Sequence, residues 1–202
     1  EYMKKGCYPF FQEPEFETRL RQVINTTAEV DIPKYARMTI AATQKLKKFM
    51  YYISKSVPVK INFSDMARDL ELSRDELPKY LEYLEKAELV SVLRMKANGD
   101  AILRKMGKLY LQNSNMSYVL SGENPDTGNA RETIFYCWTK QKYDTVESPV
   151  SDFEIDGKTF EVGGRNKGKK QISNLEDAYV VKDTIEYVFD NQVPLWMFGF
   201  LY

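Results

Sequence analysis

The stretch Ser151-Asp152-Phe153-Glu154-Ile155-Asp156-Gly157-Lys158-Thr159-Phe160-Glu161-Val162 constrains the fold more tightly than any other part of this 202-residue chain. Asp156-Gly157 is a strong two-residue hairpin signal, because a type I′ turn needs positive φ at both central positions and these two residues tolerate it. Such a turn leaves one register: Ile155 opposes Lys158, Phe153 opposes Phe160, and Asp152 opposes Glu161. Side chains alternate along a strand, so Phe153, Ile155, Phe160 and Val162 share one face with Lys158. Asp152, Glu154, Thr159 and Glu161 share the other. The first set is the core face. The second brings two carboxylates to about 5 Å at Cβ, which destabilises the pair unless positive charge lies between them. A hard divalent cation, magnesium or manganese, is one candidate, held by the carboxylates Asp152 and Glu161 together with water and a substrate phosphate. A solvated polar face touched by lysines from the next segment is the other.

That next segment, Gly163-Gly164-Arg165-Asn166-Lys167-Gly168-Lys169-Lys170-Gln171, carries four positive charges between positions 165 and 170. Its glycines let backbone approach a ligand, and phosphate is the natural one. It matches neither GxxxxGK[ST] nor GxGxxG.

Upstream the periodicity is helical. Phe16, Leu20, Val23 and Ile24 mark a lead-in helix, and apolar positions from Met38 to Ile53 mark an amphipathic helix that ends before Pro58. Two shorter helical patterns follow, one through Phe63, Met66, Ala67 and Leu70, the other through Leu77, Leu81 and Leu84. Ser73 and Glu76 have the spacing of a capping box, while Pro78 favours a start at Asp75. Val90 to Arg94, a turn at Asn98-Gly99, and Ala101 to Arg104 then read as a hairpin. Three helices followed by a hairpin predict a winged helix-turn-helix over residues 37–111, preceded by a lead-in segment over 1–36. The turn formers of 112–128 mark a junction. Residues 129–202 predict one helix, capped by Asn129, and several short strands, the last apolar run from Pro194 to Tyr202 being read as a buried terminal strand. The fold class is α+β.

Composition narrows the chemistry. There is no histidine, so the Ser-His-Asp triad, the Cys-His pair and histidine-bearing zinc sites are excluded. Cys7 and Cys137 stand far apart without CxxC spacing, which reads as reduced thiols and a cytoplasmic setting. No apolar run approaches the roughly 20 residues of a membrane span, so no membrane partner is expected. The start at Glu1-Tyr2-Met3, without initiator methionine or leader, reads as a piece of something longer. Formal net charge is zero, with 29 basic and 29 acidic residues, but it is segregated. From Phe63 to Val90 eight carboxylates face four cations, which repels phosphate, whereas the hairpin carries Arg94, Lys96, Arg104, Lys105 and Lys108 against Asp100. Any nucleic-acid contact would fall on those five residues and on Arg165, Lys169 and Lys170.

Several segments carry a family resemblance: Glu1 to Pro9, Asp31-Ile32-Pro33, Tyr80 to Ala87, Phe160-Glu161-Val162-Gly163-Gly164-Arg165-Asn166-Lys167 and Pro194 to Tyr202. Together they resemble the C-terminal half of bacterial, Bacteroides-type AAA-superfamily ATPases. The resemblance implies an upstream ATPase domain that alone binds ATP, a winged helix, and a small restriction-endonuclease-like α/β domain of the PD-(D/E)xK type. In that fold a helix glutamate, a strand aspartate and an acid-x-lysine surround the metal. The matching positions are Glu132, Asp152 and Glu161, in agreement with the hairpin register. The lysine departs: Gly163 stands in its place, and Lys167 is the substitute from the loop. Glu132 is also the expected partner of Asn129 in a capping box. The expectation is a recognition or regulatory region that binds nucleic acid or a protein without hydrolysing ATP itself. A magnesium-dependent nuclease using Asp152 and Glu161 is the alternative, and a winged-helix DNA-binding regulator the next.

Overall fold

The computed structural model describes residues 2–56, 58–73, 75–96, 106–121, 125–167 and 172–201, apart from the side chains of Ser56 and Phe63. Helices and sheet are mixed, as the α+β expectation requires. Contacts divide the chain into two compact units, Glu1–Val92 with Leu109–Pro125, and Leu93–Lys108 with Asp126–Tyr202.

The first unit is mostly helical. A short α1 (Tyr2–Lys5) precedes α2 (Phe16–Thr26), which runs through a π-helical turn at Thr27–Asp31 into α3 (Ile32–Ala36). The Ile32 N–H bonds the carbonyl of Thr27, five residues back. Pro33 explains the widening, since it has no N–H to continue an i→i−4 ladder. Arg37, in the left-handed region at φ 51°, ends the run. Helix α4 (Ile40–Ser56) starts two residues later than its periodicity predicts, because the Thr39 hydroxyl accepts the Ala42 N–H. A two-residue β1 (Val59–Lys60) leads to α5 (Phe63–Asp69) and α6 (Glu76–Lys86). Both expectations for the start of α6 hold together: Asp75 is its first flanking residue, and Ser73 and Glu76 form the reciprocal box, Ser73 N–H to the Glu76 carboxylate at 2.8 Å and Glu76 N–H to the Ser73 hydroxyl at 3.1 Å. Leu20, Leu46, Phe49, Ile53, Leu81 and Leu84 bury completely or nearly so. Strands β2 (Val90–Met95) and β3 (Met106–Leu111) follow, and β3 lies between β1 and β2. The expected Asn98-Gly99 turn, with Arg104 and Lys105, lies outside the described residues.

The stretch read as a junction contains α7 (Ser114–Ser121). Asn113, Ser114 and Asn115, just before and at its first turn, are turn formers by composition. They form a buried polar grip on the start of the chain: Ser114 and Asn115 donate to the Met3 carbonyl at 2.7 and 3.0 Å, Asn113 donates to the Tyr8 hydroxyl at 2.9 Å, and the Cys7 thiol donates to the Asn115 side chain at 3.3 Å.

The second unit is built on a mixed sheet. Helix α8 (Thr127–Thr139) is followed by β4 (Thr145–Glu147), β5 (Phe153–Ile155), β6 (Lys158–Gly163), β7 (Ala178–Lys182) and β8 (Gln192–Pro194). The order within the unit is β2-β4-β5-β6-β7-β8. Arg94 and Met95 of β2 pair in parallel with β4, β4-β5 and β5-β6 are antiparallel, and β6, β7 and β8 are parallel. The hairpin has the predicted register, with Phe153 opposite Phe160 and Ile155 opposite Lys158. Asp156 and Gly157 both have positive φ, at 50° and 78°. The aromatic face packs under α8, with the Phe135 ring 5.0 Å from Phe153, 5.6 Å from Phe160 and 4.7 Å from Phe198.

Two sequence expectations are corrected here. Helix α8 starts at Thr127, because the Asp126 side chain, not that of Asn129, caps it by accepting the Asn129 N–H at 2.9 Å. The terminal apolar run is not a buried strand: β8 ends at Pro194, and Leu195–Phe200 is a 3-10 helix with Trp196 and Phe200 exposed. Pro194 offers no N–H to extend the ladder, and Phe198 turns back edge-on to Phe135. Among the described residues no helix is long and apolar enough to cross a membrane.

Because Phe153 is fully buried between Phe135 and Tyr136, Phe153→Ala is expected to lower unfolding free energy by about 3–5 kcal/mol. Urea unfolding followed by tyrosine and tryptophan fluorescence checks this.

Candidate functional site

The polar face of the β5-β6 hairpin is not solvated. Glu161, in the middle of β6 with β5 on one side and β7 on the other, is 1% exposed. A buried carboxylate needs hydrogen bonds and counter-charge. Both of its oxygens are occupied: Oε2 accepts the Ser151 hydroxyl, and Oε1 lies 2.5 Å from the Lys167 ammonium. Asp152, just before β5, accepts the Val162 N–H at 2.9 Å on Oδ2, which faces Lys167 at 4.0 Å. Its other oxygen lies 3.9 Å from the Lys108 ammonium, which is also 4.0 Å from Glu132 Oε2. The fold thus gathers Glu132 from α8, Asp152 and Glu161 from the hairpin, Lys108 from β3 and Lys167 from the loop after β6 into one network.

Gly163 explains how Lys167 gets there. It lies two residues after Glu161 on β6, so its missing side chain would project on the same face. A Cβ added there would sit 2.4 Å from Lys167 Cγ, 2.5 Å from its Cβ and 2.7 Å from its Cδ. The lysine stem fills the volume that a side chain at 163 would take. A turn with the Lys167 N–H on the Gly164 carbonyl, at 3.0 Å, brings the stem back.

Burial raises the Asp152 carboxyl above its ordinary 3.8, and the neighbouring Glu161 charge raises it further, against the Val162 N–H and the two ammoniums. For Lys167, burial by itself favours the neutral amine. The hydrogen bond to Glu161 and the charges of Asp152, Glu161 and Glu132 outweigh it and hold the ammonium above 10.5.

The donor set can be tested against the magnesium that the sequence suggests. Its oxygens are hard enough. However, the counter-charge between Asp152 and Glu161 is supplied by Lys167, and both Glu161 oxygens have partners. Among the described residues, no three carboxylate or thiol groups are disposed to hold a metal ion. With Lys167 seated, the residues do not fit a divalent cation.

The expected nucleic-acid contacts divide. Lys96 is committed to Glu154 at 2.5 Å, and Lys108 faces Asp152 and Glu132. Arg94 is half-buried on β2 and Arg165 is exposed. Arg104, Lys105, Lys169 and Lys170 lie outside the described residues. Sequence reading missed an ion pair beside the network, Arg131 to Asp183 at 2.6 Å, with the Arg131 guanidinium against Gly164. Nothing in the turn around Asp183 signals it. It also missed Glu147 on β4, whose Oε2 is buried without a hydrogen-bond partner and sits where a Cβ on Gly107 would fall, at 1.9 Å. Glycine at 107 was the available clue.

The chain belongs to the family described as a domain of unknown function, DUF8612, which it matches over residues 1–127. No curated protein and no solved structure matches it.

The two shifts have the same sign and act at opposite ends of the pH range. The Lys167 contribution to stability is complete below 10.5 and is lost as pH rises through its raised value. The Asp152 contribution is present below 3.8 and is lost as pH rises through its own raised value, so Asp152→Asn flattens stability on the acid side and Lys167→Gln flattens it on the alkaline side. Urea unfolding of the three proteins across pH checks both signs.

Proposed function

We propose that this chain is a recognition or regulatory region of an AAA-type ATPase, built from a winged helix and a restriction-endonuclease-like domain that does not cleave. One observation carries the reading. Among the described cations near the site, Lys96, Lys108 and Lys167 are engaged by the protein's own carboxylates, while Arg165 is exposed. Helix α6, in the position of a recognition helix, presents Glu82 and has Glu85 and Glu88 at its end. That charge repels a nucleic-acid backbone and suits a protein surface. The order α4, β1, α5, α6, β2, β3 with β3 between β1 and β2 supports the winged-helix assignment. The convergence of Glu132, Asp152 and Glu161 supports the nuclease-like one. ATP binding and hydrolysis belong, in this reading, to a domain this chain does not include, and that domain is its first partner.

The second reading is a magnesium- or manganese-dependent nuclease, favoured by the same three carboxylates. Cleavage assays on single- and double-stranded DNA and RNA, with millimolar magnesium or manganese, separate the two. The expected outcome is intact substrate and fluorescence anisotropy at low salt that is unmoved by Lys96→Glu. Cleavage abolished by Asp152→Ala or Glu161→Ala replaces the reading with the nuclease. Salt-dependent binding that Lys96→Glu weakens replaces it with a DNA-binding regulator.

A further inference from the structure

We propose that Lys167 is the resident cation of this site: its ammonium, delivered through the gap at Gly163, stands in for a divalent ion and latches the loop after β6 onto Asp152 and Glu161. The inference rests on the non-cleaving reading above and adds what controls the site.

Three observations meet at one place. The ammonium lies 2.5 Å from Glu161 and 4.0 Å from Asp152, between carboxylates that otherwise repel each other. Glu161 is buried, so the charge cannot be met by solvent. The lysine stem occupies the side-chain volume of Gly163, so that a side chain at 163 and the seated Lys167 exclude one another. The pairing of residues 163 and 167 is therefore steric as well as electrostatic: glycine at the first makes the lysine at the second possible. A lysine at 163 would point into the same carboxylates from the strand itself. Loop closure and divalent-ion binding are then alternatives for the same oxygens. While the latch is seated, the residues from Gly163 to Lys167 are fixed to the sheet and Arg165 is held at its edge. Only when the Lys167 ammonium is removed are the same oxygens open to a divalent cation.

Because the cation is tethered, the wild-type protein should be indifferent to magnesium and its variants should not be. Lys167→Gln leaves Glu161 buried without counter-charge and is expected to lower the unfolding temperature by about 5–10 °C. Millimolar magnesium or manganese should restore most of that loss in Lys167→Gln and leave the wild type unchanged, since a ligand stabilises only the state it binds. Gly163→Ala should destabilise by displacing the stem. The exchange Gly163→Lys with Lys167→Gly should recover the metal-free stability, which a merely structural role for the loop would not do. A Lys167→Gln protein as stable as wild type, or one that metal does not rescue, overturns the latch while leaving the non-cleaving reading in place. Asp152-dependent magnesium binding by the wild type, measured by calorimetry, overturns both. Should Lys167→Gln fail to fold, the wild-type calorimetry and the exchange variant still decide the matter.

Discussion

A carboxylate sealed inside a sheet must be compensated from within the protein, and Glu161 sets that condition for the second unit. Ser151 supplies a hydroxyl and Lys167 a charge. Supplying that charge requires the loop after β6 to double back, which requires a bare backbone at Gly163. The hairpin turn at Asp156-Gly157 fixes which residue meets Glu161, and the aromatic layer under α8 fixes which face is available for it. Asp152, Lys108 and Glu132 extend the same network to β3 and α8. The network thus joins α8, β3, the hairpin and the loop after β6 around one buried charge.

The parts of the fold that were legible in the sequence are those where local chemistry leaves one solution. Asp-Gly flanked by alternating side chains specifies a turn and a register, and both are found. Ser73 and Glu76 specify a helix start through two reciprocal hydrogen bonds. The hairpin register singled out Asp152 and Glu161, the family resemblance added Glu132 with Lys167 as a substitute from the loop, and the structure brings the four side chains into one network. What the sequence did not reveal was the nature of the compensation. The pairing of two acids implies a positive charge, but a lysine four residues beyond the strand and a metal ion satisfy that need equally well on paper. The Lys167 stem lies where a Cβ on Gly163 would fall, a packing relation that no spacing rule signals.

Composition describes a residue's preferences in isolation, and the structure adds the partners it meets. Asn113, Ser114 and Asn115 favour turns because their side chains compete for backbone groups. At the start of α7 the Asn113 side chain accepts the Met116 N–H and donates to the Tyr8 hydroxyl, while Ser114 and Asn115 reach the carbonyls of Met3 and Tyr2. The run from Pro194 to Tyr202 is apolar enough for a buried strand, but a proline closes the ladder and one phenylalanine is drawn toward α8. Of the cations expected to meet nucleic acid, Lys96 and Lys108 have carboxylate neighbours on other segments, Glu154 for the first and Asp152 and Glu132 for the second.

The grip of α7 on residues 2–8 also changes what the beginning of the chain is. Met3, Cys7 and Tyr8 are held by side chains more than a hundred positions away. Two segments far apart in sequence therefore share one set of hydrogen bonds, so local opening of α7 would free residues 2–8 with it, and the two should protect their amides from exchange as a single unit.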